Sequence, residues 1–169
     1  MRYARSATTT TLMLAAFLMG CAARTETTTL MGEPGKLTLG QARNLLEQSK
    51  KPVDRTRAYV ELSDILIRHV HRIPRSDQER TREWLEQYQN AILSARDEIV
   101  TSGRDAQQHP DGFRELEMTL RRHVRWLSDW KIGLAGEERE PIESTLRTAS
   151  EIRTEMMDLL FPVAFQGRR

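Results

Sequence analysis

Between residues 52 and 161 apolar side chains recur every three or four positions, and proline or glycine interrupts the pattern about once per long helix. Successive residues of an α-helix turn by about 100°, so this spacing gathers the apolar residues of each segment on one face. Leu62, Ile65, Leu66, Val70 and Ile73 share a face in the first segment. Trp84, Tyr88, Ala91, Ile92, Ala95 and Ile99 do so in the second, and Leu116, Leu120, Val124, Trp126, Leu127 and Trp130 in the third. Ile142, Leu146, Ala149, Met156 and Leu160 complete the fourth. Nothing alternates with period two over a useful length, and β-branched residues are not clustered between turns. The fold class this predicts is all-α: an antiparallel bundle of four long helices preceded by a short helix, with short loops joining antiparallel neighbours.

Stop and start signals set the boundaries. Thr38 and Gln41 have capping-box spacing and open a short helix reaching about Lys50. Pro52 suits a first helical turn, where its missing N–H would be unpaired anyway, and the helix it opens runs to Arg72, before Pro74. Ser76 and Glu79 form a second capping box ahead of a helix over Asp77 to Ser102, ended by Gly103. After a polar loop, Pro110 or Asp111 opens a third long helix ending near Gly133. Gly136 turns the chain, and the acids from Glu137 to Glu140 favour a helix start, because they complement its positive end. That last helix stops near Phe161, so the helical domain covers 37–161 and a tail covers 162–169.

The first twenty residues are of another kind. Arg2 and Arg5 precede a short apolar run, Leu12 to Met19, and then Gly20-Cys21-Ala22. A basic start, a short apolar stretch and a small residue before a cut describe a secretory signal, and the run is well short of the roughly 20 residues that span a bilayer. Leu18-Met19-Gly20-Cys21 resembles the lipobox of bacterial lipoproteins, with Met19 less usual than alanine or serine at its position. The resemblance implies removal of residues 1–20, a diacylglycerol on the Cys21 thiol, and acylation, palmitate included, of the new amino terminus. Each buried methylene adds roughly 0.8 kcal/mol, so two or three chains make a durable anchor in the lipid bilayer. Ala22 in place of aspartate implies the outer membrane, facing the periplasm, where the host is Gram-negative. Residues 22–36 are rich in Thr, Gly and Pro and read as a flexible tether.

Charge narrows the partners. Of 26 basic residues, Arg2 and Arg5 fall in the signal and no acid does, so the mature chain balances 24 basic against 24 acidic residues. A near-neutral protein has little long-range attraction for polyphosphate, which argues against nucleic acid. One cysteine permits no intramolecular disulfide and no site built from several thiolates.

Two stretches look alike. Leu66-Ile67-Arg68-His69-Val70 and Leu120-Arg121-Arg122-His123-Val124 share Leu-x-Arg-His-Val, each with an apolar residue three places on. At the same offset Ile92 and Ala95 fall on Leu146 and Ala149, so two helical hairpins are candidate copies of one unit. His69 and His123 sit near the centres of their apolar faces and are the candidate ligand or metal residues, with Trp126 and Trp130 nearby, since imidazole suits zinc, copper and haem iron. Against this stand the absence of Glu-x-x-His and His-x-x-x-His pairs and the cations Arg68 and Arg122 beside them, so no cofactor beyond the lipid is expected. Arg153 interrupts an apolar stripe and needs a partner or a route to water; Glu98 is the candidate partner. The run Arg68-His69-Val70-His71-Arg72 is a weak basic patch for anionic head groups, because its members point around the helix. No phosphate-cradling loop, nucleophile elbow or defensible Ser-His-Asp order is present, so no catalytic residue is expected. Lys51 to Asp64, a Pro- and Asp-containing cap followed by an apolar-periodic helix, resembles the start of helical repeats in bacterial secreted proteins of unassigned activity. Two functions emerge: a non-catalytic interaction or scaffold domain for an envelope protein partner, or a bundle that binds a ligand or metal through His69 and His123.

Overall fold

The computed structural model describes residues 37–134 and 136–162. The expected signal, Cys21, the tether and residues 163–169 lie outside the described residues. Within them the chain is all-α: α1 (Leu39–Gln48), α2 (Pro52–Arg72), α3 (Gln78–Val100), α4 (Phe113–Lys131) and α5 (Glu140–Leu160), with a short 3-10 turn at Gly136–Glu138 before α5 and no strand among the described residues.

Local chemistry explains the ends. The Thr38 hydroxyl accepts from Gln41 N–H, and the Gln41 side chain accepts from Thr38 N–H, which satisfies two donors that no helical carbonyl reaches. α2 begins on Pro52 as expected. α3 differs: its cap is Asp77, whose carboxylate accepts from Arg80 N–H, in place of Ser76. The chain turns tightly just before, with Asp77 N–H donating to Pro74 carbonyl at 2.9 Å, and this sets Asp77 at the helix mouth.

α4 starts at Phe113, two residues after Asp111, with Gly112 as its cap. Gly112 has φ +82, and a Cβ there would lie 2.9 Å from Ile99 Cδ1. Gly103 also has a left-handed φ, +70, but open space around it. Gly112→Ala combines backbone strain with a clash against the end of α3, and a loss of about 1–3 kcal/mol is expected. Gly103→Ala bears only the backbone cost, so urea midpoints for the two variants should separate. Equal midpoints would mean that Ile99 gives way freely.

Paired side chains report how the long helices run. α2 and α3 run oppositely, since Arg55 meets Glu98 while His69 meets Trp84. α4 and α5 do the same through Glu117–Arg153 and Lys131–Glu143. Across the two hairpins the sense is parallel: Arg57 pairs with Glu115 and Asp64 with His123, 58 and 59 residues apart. Gln89 donates to Thr145 and Arg96 to Glu155, 56 and 59 residues apart. The second hairpin therefore lies beside the first, in step with it, and α1 packs on α2.

The core runs through both hairpins. Tyr88, Phe113, Leu66, Leu85, Ile92, Ile99, Leu116 and Leu120 are among its largest fully enclosed side chains. Most stripe residues named from the sequence are buried here, while Leu62, Trp84, Val124, Trp126, Trp130 and Leu146 pack at its edge. Phe113, Leu85 and Ile152 are buried as well, outside the stripes read from periodicity.

Candidate functional site

The most concentrated chemistry is a hydrogen-bonded row crossing three helices. His123 stands on the apolar face of α4, between Leu120 and Leu127, and is 4% exposed. Its Nε2 lies 2.6 Å from Asp64 Oδ1 on α2, and its Nδ1 lies 3.1 Å from the Tyr88 hydroxyl on α3. An ionised carboxylate only accepts, so Nε2 carries the proton and donates to Asp64. In the neutral imidazole Nδ1 then holds a lone pair and accepts from Tyr88, which leaves every group in the row satisfied. Arg122 reaches the outer side of Asp64 at 3.2 Å.

Burial is the strongest influence on Asp64 and pushes its carboxyl up, but the His123 hydrogen bond, with the charges of Arg122 and Arg68, outweighs it and holds the group below its ordinary value. Burial drives the Tyr88 phenol far above its ordinary value, helped by the Asp64 charge, so it stays a neutral donor. Tyr88 is 0% exposed. The row has the residue types of a proton relay, but its phenol is fully enclosed by the protein. Chemically it is a brace: it joins α2, α3 and α4 and fixes their rotation.

The two candidate histidines are not brought together. They reach α3 one turn apart, His123 at Tyr88 and His69 at Trp84, where the imidazole stacks on the indole with centroids 4.6 Å apart and planes 20° apart. Burial first, then Arg72, Arg68 and Arg80, lowers the His69 pKa from its ordinary value. Both ring nitrogens of His123 are engaged by protein groups, so neither is free to ligate. Among the described residues no three His, Asp or Glu side chains converge as a metal site would need. Beyond His69 the aromatic contacts continue: exposed His71 meets Trp126 edge-on at 5.4 Å, and Trp126 lies 5.1 Å from Trp130.

Arg153 finds a different acid from the one expected. Glu98 is taken by Arg55 at 2.7 Å, and Arg153 Nε donates to Glu117 Oε1 at 3.2 Å. The reason is helix direction: α3 and α5 run in step and match Arg96 to Glu155, which turns Arg153 toward α4. Glu117 is buried and is also clasped by Arg121 one turn on, so its charge is balanced from two sides. Glu117 and Asp64 were both missed from the sequence. Glu117 follows Leu116 and sits three before Leu120, a placement on the apolar face that could have revealed it.

No protein-family model matches the chain, and no curated protein or solved structure matches it significantly.

Proposed function

We propose that this chain is a lipid-anchored protein of the bacterial cell envelope, carrying a non-catalytic helical interaction or scaffold domain. The observation that carries the reading is Leu18-Met19-Gly20-Cys21, in which the chain's one cysteine occupies the position where a lipoprotein is acylated. The apolar run ahead of it is too short to span a bilayer, and the near-neutral mature chain suits a protein held in place by lipid. In a Gram-negative host the domain would face the periplasm from the outer membrane.

The domain reads as four long helices in two antiparallel hairpins, the second a stacked copy of the first. The separation of 56 to 60 residues between partners on α2 and α4, and between α3 and the partners on or just before α5, supports this, being close to the offset between the two Leu-x-Arg-His-Val stretches. The non-catalytic reading is supported by the Asp64–His123–Tyr88 row, whose most unusual group, the Tyr88 phenol, is sealed from solvent.

The test is the intact mass of the protein extracted from membranes of an expressing bacterium, beside a Cys21→Ala form. A mass fitting residues 21–169 plus a diacylglycerol and an amide-linked acyl chain is expected, with membrane attachment lost in the variant. A free thiol on an intact amino terminus would overturn the reading.

A further inference from the structure

The arginines of this fold are unevenly matched. Arg55, Arg57, Arg96, Arg121, Arg122 and Arg153 are each held by a carboxylate. Among the described residues Arg43, Arg104, Arg114, Arg125 and Arg147 make no ion pair and are spread along the chain, whereas Arg68, Arg72, Arg75, Arg80 and Arg82, which also make none, fall together where α2 gives way to α3. The acids of that stretch are Asp77, Glu79 and Glu83, of which Asp77 is committed to capping α3; Glu137 and Glu138 share the cleft of Arg75 and Arg82, which leaves Arg68, Arg72 and Arg80 as the cations away from that cleft. The Arg68-to-Arg72 run alone scatters its charges around a helix. The stacking of His69 on Trp84 sets the end of α2 against the start of α3, and Arg80 lies one turn before Trp84, so it stands at the same corner as Arg68 and Arg72.

The same end of the molecule holds all three tryptophans of the chain. Trp84 lies under His69, Trp126 meets His71, and Trp130 lines a small cleft with Arg75 and Arg82, which Glu137 and Glu138 close on the far side. All three indoles are half-buried. Half-buried indoles flanked by long cationic side chains combine an apolar body with polar tips, the chemistry suited to the head-group layer of a bilayer.

We propose that this corner docks on an anionic phospholipid bilayer, with Arg68, Arg72 and Arg80 on head-group phosphates and Trp126 and Trp130 at the interface. The proposal rests on the reading that Cys21 anchors the chain to a membrane. An anchor on a flexible tether keeps the domain near lipid but does not orient it. In a chain whose total charge is near zero, a local cationic corner is what can set that orientation.

The experiment uses the full chain carrying Cys21→Ala and reads tryptophan emission during titration with phosphatidylglycerol vesicles, some brominated on their acyl chains. The segment before residue 37 contains no tryptophan, so the signal reports on this corner even if that segment also touches lipid. Quenching by brominated phosphatidylglycerol is expected, with none from phosphatidylcholine and loss of most of the effect in 0.5 M salt, a test condition well into the screened range. The triple variant R68Q/R72Q/R80Q should need about a hundredfold more lipid at low salt, and R68K/R72K/R80K should behave as the parent. Circular dichroism shows whether each variant keeps its helices. Equal quenching in the parent and the glutamine variant, or an equal response to phosphatidylcholine, would overturn the proposal. So would inorganic phosphate reproducing and saturating the change, which would make the corner a small-anion site. None of these outcomes depends on the state of Cys21, which the mass measurement reads separately.

Discussion

His123→Leu is expected to lower unfolding free energy by about 2–5 kcal/mol, because it strands a buried hydroxyl and removes a partner from a half-enclosed carboxylate. Leucine fills much of the imidazole's volume, so packing contributes little to the loss. Tyr88 makes no other side-chain hydrogen bond among the described residues, and its hydroxyl would lie in the core without an acceptor. Asp64 would keep Arg122, which limits the damage on that side. Tyr88→Phe alone should cost about 1 kcal/mol. The double variant should cost less than the sum of the singles, since removing the hydroxyl also removes the penalty of stranding it. Denaturant unfolding of the four proteins gives the answer, and additive losses would show that the row is not a coupled unit. The brace also has a pH signature. Asp64 is held below its ordinary value, so it contributes stability above the unfolded carboxylate pKa of about 3.9 and loses it as pH falls through the lower folded value. In His123→Leu that acid-side loss should shrink, because much of the stabilisation of the charged form has gone.

Phe113→Ala is expected to cost about 3–5 kcal/mol, and Phe161→Ala to stay within about 0.5 kcal/mol. The chemistry of the two changes is identical. Phe113, at 2% exposed, opens α4 directly after the strained Gly112 and is enclosed in the shared core, whereas Phe161 caps α5 at 48% exposed. Deleting the Phe113 ring removes its transfer free energy and leaves a cavity between elements that Gly112 already holds close to Ile99. Thermal or urea unfolding of both variants, with helicity checked at the start, separates them. A small loss at Phe113 would mean that the start of α4 can collapse onto α3 to refill the space.

Helix positions were readable because their signals are local. The Thr38–Gln41 box, Pro52 and the spacing of Tyr88, Ile92 and Ile99 act within one or two turns, and the structure uses all of them. Ser76 misled because it and Asp77 are both good caps, and a one-residue difference in the preceding turn chose between them. His69 and His123 show the deeper limit. Their sequence surroundings are nearly the same, yet one is stacked on an indole near the surface and the other is locked in a buried row. The difference lies in what stands opposite. α4 has α2 of the first hairpin across from it and so meets Asp64, while at His69 the ring faces its own α3. A periodic pattern reports which face of a helix is covered, but not which helix covers it. Arg153 was misassigned to Glu98 for the same reason.

The in-step pairing of the hairpins also bears on how the chain acquires its shape. Among the described residues, side-chain pairs within a hairpin join residues at most 43 apart, and those between hairpins join residues at most 60 apart. No stabilising contact of this kind waits for the two ends of the chain to meet. Neighbour-by-neighbour pairing of this sort limits the loop entropy lost before each contact is gained. Each hairpin can close as soon as its second helix exists, and the first offers Asp64 and Tyr88 as a waiting edge for α4. A chain that becomes available from its amino terminus can thus assemble in the order in which its helices appear.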